Sequence, residues 1–152
     1  MFTKAQQLTD NRKKLKPKKQ KKRYYIKPKP RKAKSYDILD SNYKEWLRAN
    51  KGCVVYGGIS EANHIHHIEG RKFGTNDYLT VPINGKYHNL SKLSYHQMGQ
   101  HSFKDYYFPY LDTDIKTYFT TLAMQYLQEY IDLGNEVDSR AYELLQKYSY
   151  LK

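Results

Sequence analysis

The fold and the chemistry of this chain are concentrated in residues 63–99, which begin with NHIHHIEG at Asn63 and end with YHQMG at Gly99. All six histidines of the 152-residue chain lie between His64 and His101. Neutral imidazole binds transition metals well, and its pKa near neutrality also suits it to acid–base work. A single histidine is more often a surface or core residue than a ligand. Six in one window, including an adjacent pair, predict a metal-dependent site.

The basic charge lies in a different part of the chain. Residues 1–34 contain 15 of the 27 Lys+Arg residues and a single acid, whereas the formal net charge of the whole chain is +12. Three prolines and few apolar residues accompany this charge, a composition that cannot bury enough surface to fold. We therefore predict a disordered arm over residues 1–34 that binds the phosphates of nucleic acid. The cations assigned to this binding are Lys13, Lys14, Lys18, Lys19, Lys21, Lys22, Arg23 and Arg31.

The remaining residues, 35–152, are enough for one domain with a modest core. No apolar run approaches the ~18 residues that a membrane span needs, and no apolar N-terminal segment resembles a secretory signal. The competing partner, an acidic membrane surface, is disfavoured because the arm has no amphipathic apolar face and no lipidation signal. The single cysteine, Cys53, excludes an intramolecular disulfide. We expect a cytoplasmic protein with no membrane partner.

Local patterns predict the elements of this domain. Ser41 is expected to cap a short helix that Gly52 stops. The β-prone run 53–56 and a strand around residues 64–68 predict an irregular hairpin.

Helical periodicity dominates the C-terminal part of the chain. Asp112 is expected to cap a long helix that Gly134 ends, and a last helix is expected over residues 139–151. The predicted buried face of the long helix consists of Ile115, Phe119, Leu122, Tyr126, Tyr130 and Leu133.

The string HHIEGR at 66–71, followed by NDYLTVPI at 76–83 and then by two further histidines and Gly99, resembles the HNH (ββα-metal) endonucleases. Within that family the chain is most similar to the phage recombination-enhancement nucleases, which typically join a basic disordered arm to a compact nuclease domain. The resemblance covers roughly residues 52–103, about a third of the chain. It implies a ββα-metal core over 52–103. Together with the predicted N-terminal helix and the C-terminal helices over 112–151, this core gives an expected α+β fold.

The resemblance also implies the roles of four histidines. The first member of the pair, His66, matches a metal ligand, and the second, His67, matches the general base. The remaining ligands match His88 and, across a longer spacer than many relatives have, His96. The implied cofactor is one divalent ion, Mg²⁺ or Mn²⁺, with Zn²⁺ as an alternative. An imidazole base and a Lewis-acidic ion are together what phosphodiester hydrolysis needs near neutral pH.

The asparagine that orients the base in this family has three candidates here, Asn84, Asn89 and Asn76, which spacing does not separate. Asn84 is taken as the catalytic candidate. Asp77 matches the position before the second strand and is expected to be a turn residue.

Three further side chains receive weaker predictions. Arg71, in the matched HHIEGR, is expected to clamp a phosphate, although a surface ion pair fits it equally well. His64 is expected to be structural, and His101 is a candidate phosphate contact.

Relatives of this kind usually carry C-x-x-C before the first strand and C-x-x-C-H after V-P-L, four thiolates that hold a structural zinc. The matching positions here are Cys53, Tyr56, Asn84 and Tyr87. We therefore expect no four-cysteine zinc site, because structural zinc needs four good ligands. Tyrosine packing and amide hydrogen bonds are expected to replace it, with Cys53 as a small buried residue.

The predicted function is that of a metal-dependent endonuclease or nickase that hydrolyses DNA phosphodiester bonds in phage or bacterial recombination or DNA processing. The implied partners are single- or double-stranded DNA and a recombinase filament. Two alternatives stay open. One is a catalytically inactive nucleic-acid-binding or structural protein on a degenerate HNH scaffold. The other is a basic ribosome- or virion-associated protein, which rests on the arm alone.

Overall fold

Five α-helices and a two-stranded antiparallel sheet make up the regular structure of residues 35–70 and 76–151, the residues that a computed structural model describes. This mixture of helix and sheet confirms the predicted α+β class. The described residues form one compact unit. The arm over 1–34 and Arg71 lie outside the described residues, so what was predicted for them stays a prediction. Within the described part of the chain, no helix has both the length and the apolar character needed to cross a membrane.

The first helix, α1, spans Ser35–Asn50. It begins well before Ser41, so the predicted cap was wrong. Ser41 lies inside the helix, where its Oγ donates to the carbonyl of Asp37 at 2.7 Å, a back-bond that a serine can make without ending a helix. The predicted stop is confirmed, since the helix ends two residues before Gly52.

The sheet consists of β1, Asn63–His67, and β2, Thr80–Asn84, paired antiparallel with His66 opposite Val81. Successive strand residues point to opposite faces of a sheet. The neighbouring histidines therefore have different surroundings: His66 is buried, and His67 is half-buried.

The run 53–56 is a turn and not a strand, so the predicted hairpin was wrong about the partner of β1. The Gly57 amide donates to the Cys53 carbonyl at 2.7 Å, and Gly57 has a φ of 80°, a left-handed conformation that closes the run on itself. The run is held to β2 through a 3.0 Å hydrogen bond from the Val54 amide to the Pro82 carbonyl.

The longest helix, α4, spans Ile115–Asp132. Its cap is Asp114 and not the predicted Asp112, since an Asp114 carboxylate oxygen accepts from the Thr117 amide at 2.9 Å. The helix ends before Gly134, as predicted. Of the predicted face, Ile115, Phe119 and Tyr130 are buried, Leu122 and Tyr126 are half-buried, and Leu133 is 64 % exposed.

Three tyrosines at the centre of the core join α1, β2 and α4. The Tyr43 ring of α1 lies 5.2 Å from Tyr78, just before β2, and 5.1 Å from Tyr130 of α4. Such aromatic pairs add to the free energy gained from burying their area. They fix α1 against the sheet, which matters below because α1 forms one wall of the candidate site.

After α4 the chain forms α5, Ser139–Lys147, and a 3₁₀ turn, Ser149–Leu151, so the predicted last helix ends earlier than expected. The Arg140 guanidinium pairs with Asp138 at 2.6 Å and with Asp40 of α1 at 2.7 Å. The pair with Asp40 attaches α5 to α1.

Two short helices, α2 (Tyr95–Met98) and α3 (Gln100–Tyr107), follow a π-helical turn over Lys86–Leu90. The π-helical turn and α2 come directly after β2 and carry the remaining histidines of the candidate site.

The four positions that hold cysteines in the resembling family meet in this fold. The Tyr56 and Tyr87 rings lie 5.8 Å apart, and the backbone amide of Asn84 donates to the Cys53 sulfur at 3.2 Å. Cys53 is buried. The expected tyrosine packing and amide hydrogen bond are thus present, and they join the 53–58 loop to the end of β2.

Candidate metal centre

Three histidines converge from three elements: His66 from β1, His88 from the π-helical turn and His96 from α2. One ring nitrogen of each lies within 4.8 Å of the others. His88 Nε2 and His96 Nε2 are 3.1 Å apart. The structure therefore brings together the three residues predicted to be ligands.

Backbone hydrogen bonds and ring packing hold these histidines in place. The Gly85 amide donates to the Ala62 carbonyl at 2.9 Å, which fixes the start of the π-helical turn beside β1. The buried Tyr95 ring packs edge-on against the His66 ring at 4.5 Å. The site is thus built on the sheet and its immediate continuation, where side chains are held more rigidly than on a loop.

His66 has the environment of a neutral ligand. It is 2 % exposed, and its Nε2 has no hydrogen-bond partner among the described residues. Burial, together with the neighbouring His88 and His96, lowers the pKa of His66 to about 3. The ring is therefore neutral at pH 7. A buried nitrogen without a partner costs about 1–3 kcal/mol, which a cation at Nε2 would relieve.

The distance between His88 Nε2 and His96 Nε2 fits shared ligation of a divalent ion. Two nitrogens that each lie ~2.0–2.1 Å from one ion, at angles between a right angle and the tetrahedral angle, are about 2.8–3.4 Å apart. The observed His88–His96 separation of 3.1 Å falls in this range. Three protein ligands leave positions for water and substrate, as in catalytic sites. Imidazole donors favour a transition-metal ion over Mg²⁺, which prefers oxygen ligands.

The predicted base, His67, is held by a carboxylate. Its Nε2 lies 2.6 Å from Asp77 Oδ1, and Asp77 Oδ2 lies 3.4 Å from the Lys44 ammonium. Burial alone would raise the pKa of Asp77, but the hydrogen bond to His67 and the charge of Lys44 lower it below the ordinary value. Asp77 is therefore ionised at neutral pH and accepts a hydrogen bond from His67 Nε2–H.

Sequence reasoning missed this role of Asp77, which was expected to be a turn residue. It does contribute to the turn, because its carbonyl accepts a hydrogen bond from Thr80 Oγ1 at 3.0 Å. Its side chain reaches His67 because β1 ends where β2 begins, with His67 opposite Thr80. Only the strand register could have indicated this contact.

The histidines line a cavity of about 770 Å³, to which α1 also contributes side chains. Among the described residues, Lys44 and Arg48, one turn apart on α1, contribute cationic side chains to this cavity, and Glu61 contributes an acidic one. Sequence reasoning placed the nucleic-acid contacts in the arm and did not identify this pair. Their spacing of four residues on a predicted helix was the available signal.

The three asparagine candidates have different positions. Asn84 does not line the cavity, and its Oδ1 accepts from the Lys86 amide at 3.0 Å. The Asn76 amide group donates to the Arg140 carbonyl at 3.1 Å, a contact that ties the turn before β2 to α5. Asn89 is the candidate that lines the cavity.

The two remaining histidines also differ. His64 lines the cavity, and its Nδ1 lies 3.2 Å from Nδ1 of the ligand candidate His88. His101 is exposed on α3 and is not part of the cavity lining.

Comparisons of the chain with protein-family models, with curated proteins and with solved structures found no match. The resemblance to HNH endonucleases therefore rests on the motif residues, and the functional argument rests on the geometry around them.

Proposed function

We propose that this protein is a metal-dependent endonuclease or nickase of the HNH type that hydrolyses DNA phosphodiester bonds. The observation that carries the proposal is the convergence of His66, His88 and His96 within 4.8 Å, beside a histidine held by a carboxylate. A surface cluster of histidines would not require a buried, neutral His66 or an ionised partner for His67.

The ion would be held by His66, His88 and His96. When bound, it supplies Lewis-acid stabilisation of charge on the phosphate and on the leaving oxygen. The burial of His66 makes it a neutral donor throughout the physiological pH range. His96 is the most exposed of the three histidines.

His67 acts as the general base. Because its Nε2–H donates to Asp77, its Nδ1 carries the free lone pair and accepts the proton of the attacking water. Asp77 keeps the ring in this tautomer and stabilises the imidazolium that forms. A positioned base of this kind typically contributes ~10²–10⁴-fold to the rate.

The charge of the cavity favours a polyanionic substrate. Arg48 and Lys44 line the same cavity as the histidines, and an arginine can bind phosphate oxygens through two parallel hydrogen bonds. Lys44 is paired with Asp77, so Arg48 is our candidate for the phosphate contact. The arm, if it binds nucleic acid as predicted, adds affinity without sequence specificity.

The contacts that join the 53–58 loop to the end of β2 also support an HNH-type core. Tyr56, Tyr87, Cys53 and Asn84 meet at the positions where the resembling nucleases hold a zinc ion, and they connect the same two loops. Packing in place of a metal leaves the catalytic histidines on an equivalent scaffold.

The test is the nicking of supercoiled plasmid by the full chain with Mn²⁺, Mg²⁺ or Zn²⁺, and with a chelator. We expect nicking with a divalent ion and none with the chelator. His67→Ala should reduce the single-turnover rate by ~10²–10⁴-fold while metal binding stays nearly intact. His66→Ala should instead lower metal affinity, with partial recovery of cleavage at high metal concentration.

Undiminished cleavage by His67→Ala would reject the mechanism. Equal loss of metal binding in the two variants would reject the assignment of base and ligand. A protein that binds both metal and DNA but cleaves neither strand would support the alternative, a catalytically inactive nucleic-acid-binding protein on an HNH-like scaffold.

A further inference from the structure

His64 contacts the metal centre from outside it. It lies two residues before His66 on β1, so both side chains project from the same face of the sheet. The His88 ring lies between them, with its centroid 5.4 Å from the His64 ring and 5.2 Å from the His66 ring. His64 is not among the three histidines whose nitrogens converge.

The atoms in contact determine where the protons lie. His64 Nδ1 and His88 Nδ1 are 3.2 Å apart, and a hydrogen bond between them needs one donor and one acceptor. The other nitrogen of His88, Nε2, faces His96 Nε2 at 3.1 Å. If His88 binds an ion through Nε2, its proton lies on Nδ1. His64 Nδ1 must then accept, and the proton of His64 lies on its Nε2.

We propose that His64 is a positioning residue of the metal centre: it accepts a hydrogen bond from His88 Nδ1–H and so holds His88 Nε2 toward the ion. This inference rests on the metal site of the proposed function. Histidine ligands usually donate their second N–H to a carboxylate, a backbone carbonyl or water. An imidazole acceptor has no negative charge, so it orients the ligand while polarising it less than a carboxylate would.

The far side of the His64 ring is confined by a glycine. A Cβ at Gly85 would lie 2.8 Å from His64 Nε2. Gly85 has φ −52° and ψ −34°, which any residue adopts, so the backbone does not require glycine here. A Cβ would also lie 2.8 Å from Leu90 Cδ1, but Leu90 is 73 % exposed and can move away. The close approach of the His64 ring is thus the physical reason for glycine at this position.

The experiment measures Zn²⁺ affinity of the full chain by competition with a chelator, without DNA. His64→Phe removes the acceptor and should weaken binding by ~10–100-fold, the usual effect of losing such a partner. His64→Asn places an amide oxygen near the position of Nδ1 and should retain most of the affinity. His64→Asp supplies a charged acceptor and should bind Zn²⁺ more tightly than the unaltered protein. Gly85→Ala, which displaces the His64 ring, should weaken binding in the same direction as His64→Phe.

His101→Phe is the matched control, since it removes an exposed imidazole outside the cavity and should leave Zn²⁺ affinity unchanged. Nitrogen-15 spectra of the Zn²⁺-loaded protein should show the His64 proton on Nε2. A proton on His64 Nδ1, or unchanged affinity in a folded His64→Phe variant, would overturn the inference. Equal losses of Zn²⁺ affinity in His64→Phe and His64→Asn would also overturn it, because they would indicate that His64 is itself a ligand.

These readouts do not depend on cleavage. If the His64 variants change Zn²⁺ affinity as expected but the protein nicks no DNA, the proposed function fails and the inference about His64 stands. If DNA is nicked and the His64 variants bind Zn²⁺ like the unaltered protein, the inference fails alone.

Discussion

The hydrogen bond between Asp77 and His67 offers a sharp test of the mechanism. Asp77→Ala removes the carboxylate that accepts from His67 Nε2–H at 2.6 Å, while His66, His88 and His96 keep their positions. The base can then rotate and exchange tautomers. Cleavage should slow, and metal binding should not change.

The size of the effect follows from the environment of the bond. The Asp77 side chain is 25 % exposed, so the bond is partly shielded from water. Hydrogen bonds to charged groups contribute about 1.5–3 kcal/mol, and each 1.36 kcal/mol corresponds to a tenfold change in rate. We therefore expect a single-turnover rate about 10–150-fold below that of the unaltered protein. The rate of Asp77→Asn should fall at least as far whenever the amide nitrogen of the new side chain, a donor, faces His67.

The assay is single-turnover cleavage of a labelled oligonucleotide at saturating Mn²⁺, with Mn²⁺ binding measured by calorimetry on the same samples. Lys44→Met is the matched control, because it removes the 3.4 Å ion pair of Asp77 and leaves the bond to His67 in place. Its cleavage rate should fall by much less. Cleavage by Asp77→Ala at the unaltered rate would refute the reasoning, and so would a loss of Mn²⁺ binding in that variant.

Four further outcomes are expected. Arg48→Gln should raise KM for DNA more than it lowers kcat. Lys116→Gln, which removes an exposed charge on α4, should change neither. A fall in kcat alone in Arg48→Gln would contradict a phosphate contact. The metal-free protein should lose stability as the pH falls from about 6.5 toward 3, because in this range His66 binds a proton in the unfolded state but not when it is buried in the folded state. The free energy of unfolding should fall by up to ~1.4 kcal/mol per pH unit. Urea titrations at pH 7 and 5 should show that the free energy of unfolding depends less on pH in His66→Leu. Deleting residues 1–34 should weaken DNA binding and flatten its salt dependence, and unchanged binding at physiological salt would assign the arm another role. Metal analysis of the purified protein should find no second, tightly held zinc per chain, and finding one would contradict packing of Tyr56 on Tyr87 in place of a metal.

The three histidines that converge could be predicted from the sequence because the motif that identifies them is local. The pair at residues 66–67 and its spacing to His88 and His96 can be read directly from the sequence. Each of these residues lies on or just after a strand or short helix. The α+β class was predictable for the same reason. The end of α4 before Gly134 also follows from a local rule, the left-handed conformation that glycine adopts after a helix.

The predictions that failed depended on choices between equal local signals. Asp112 and Asp114 both suit a helix cap, and Asp114 caps α4 because the helix starts at Ile115, which is buried in the core. The run 53–56 has the composition of a strand, yet β1 pairs with β2 instead, and Gly57 turns the run back on itself. Propensity cannot rank such alternatives, since burial and strand pairing decide them.

By itself, the sequence determined which histidines are candidates for the metal centre, and its resemblance to HNH endonucleases indicated which of them is the candidate base. Only the tertiary structure decided what surrounds them: Asp77 on His67, His64 on His88, and the wall formed by α1. These contacts join residues whose separation in the chain carries no periodic signal. They arise because pairing β1 with β2 brings the end of one strand to the start of the other, and because the packed core holds α1 beside the sheet.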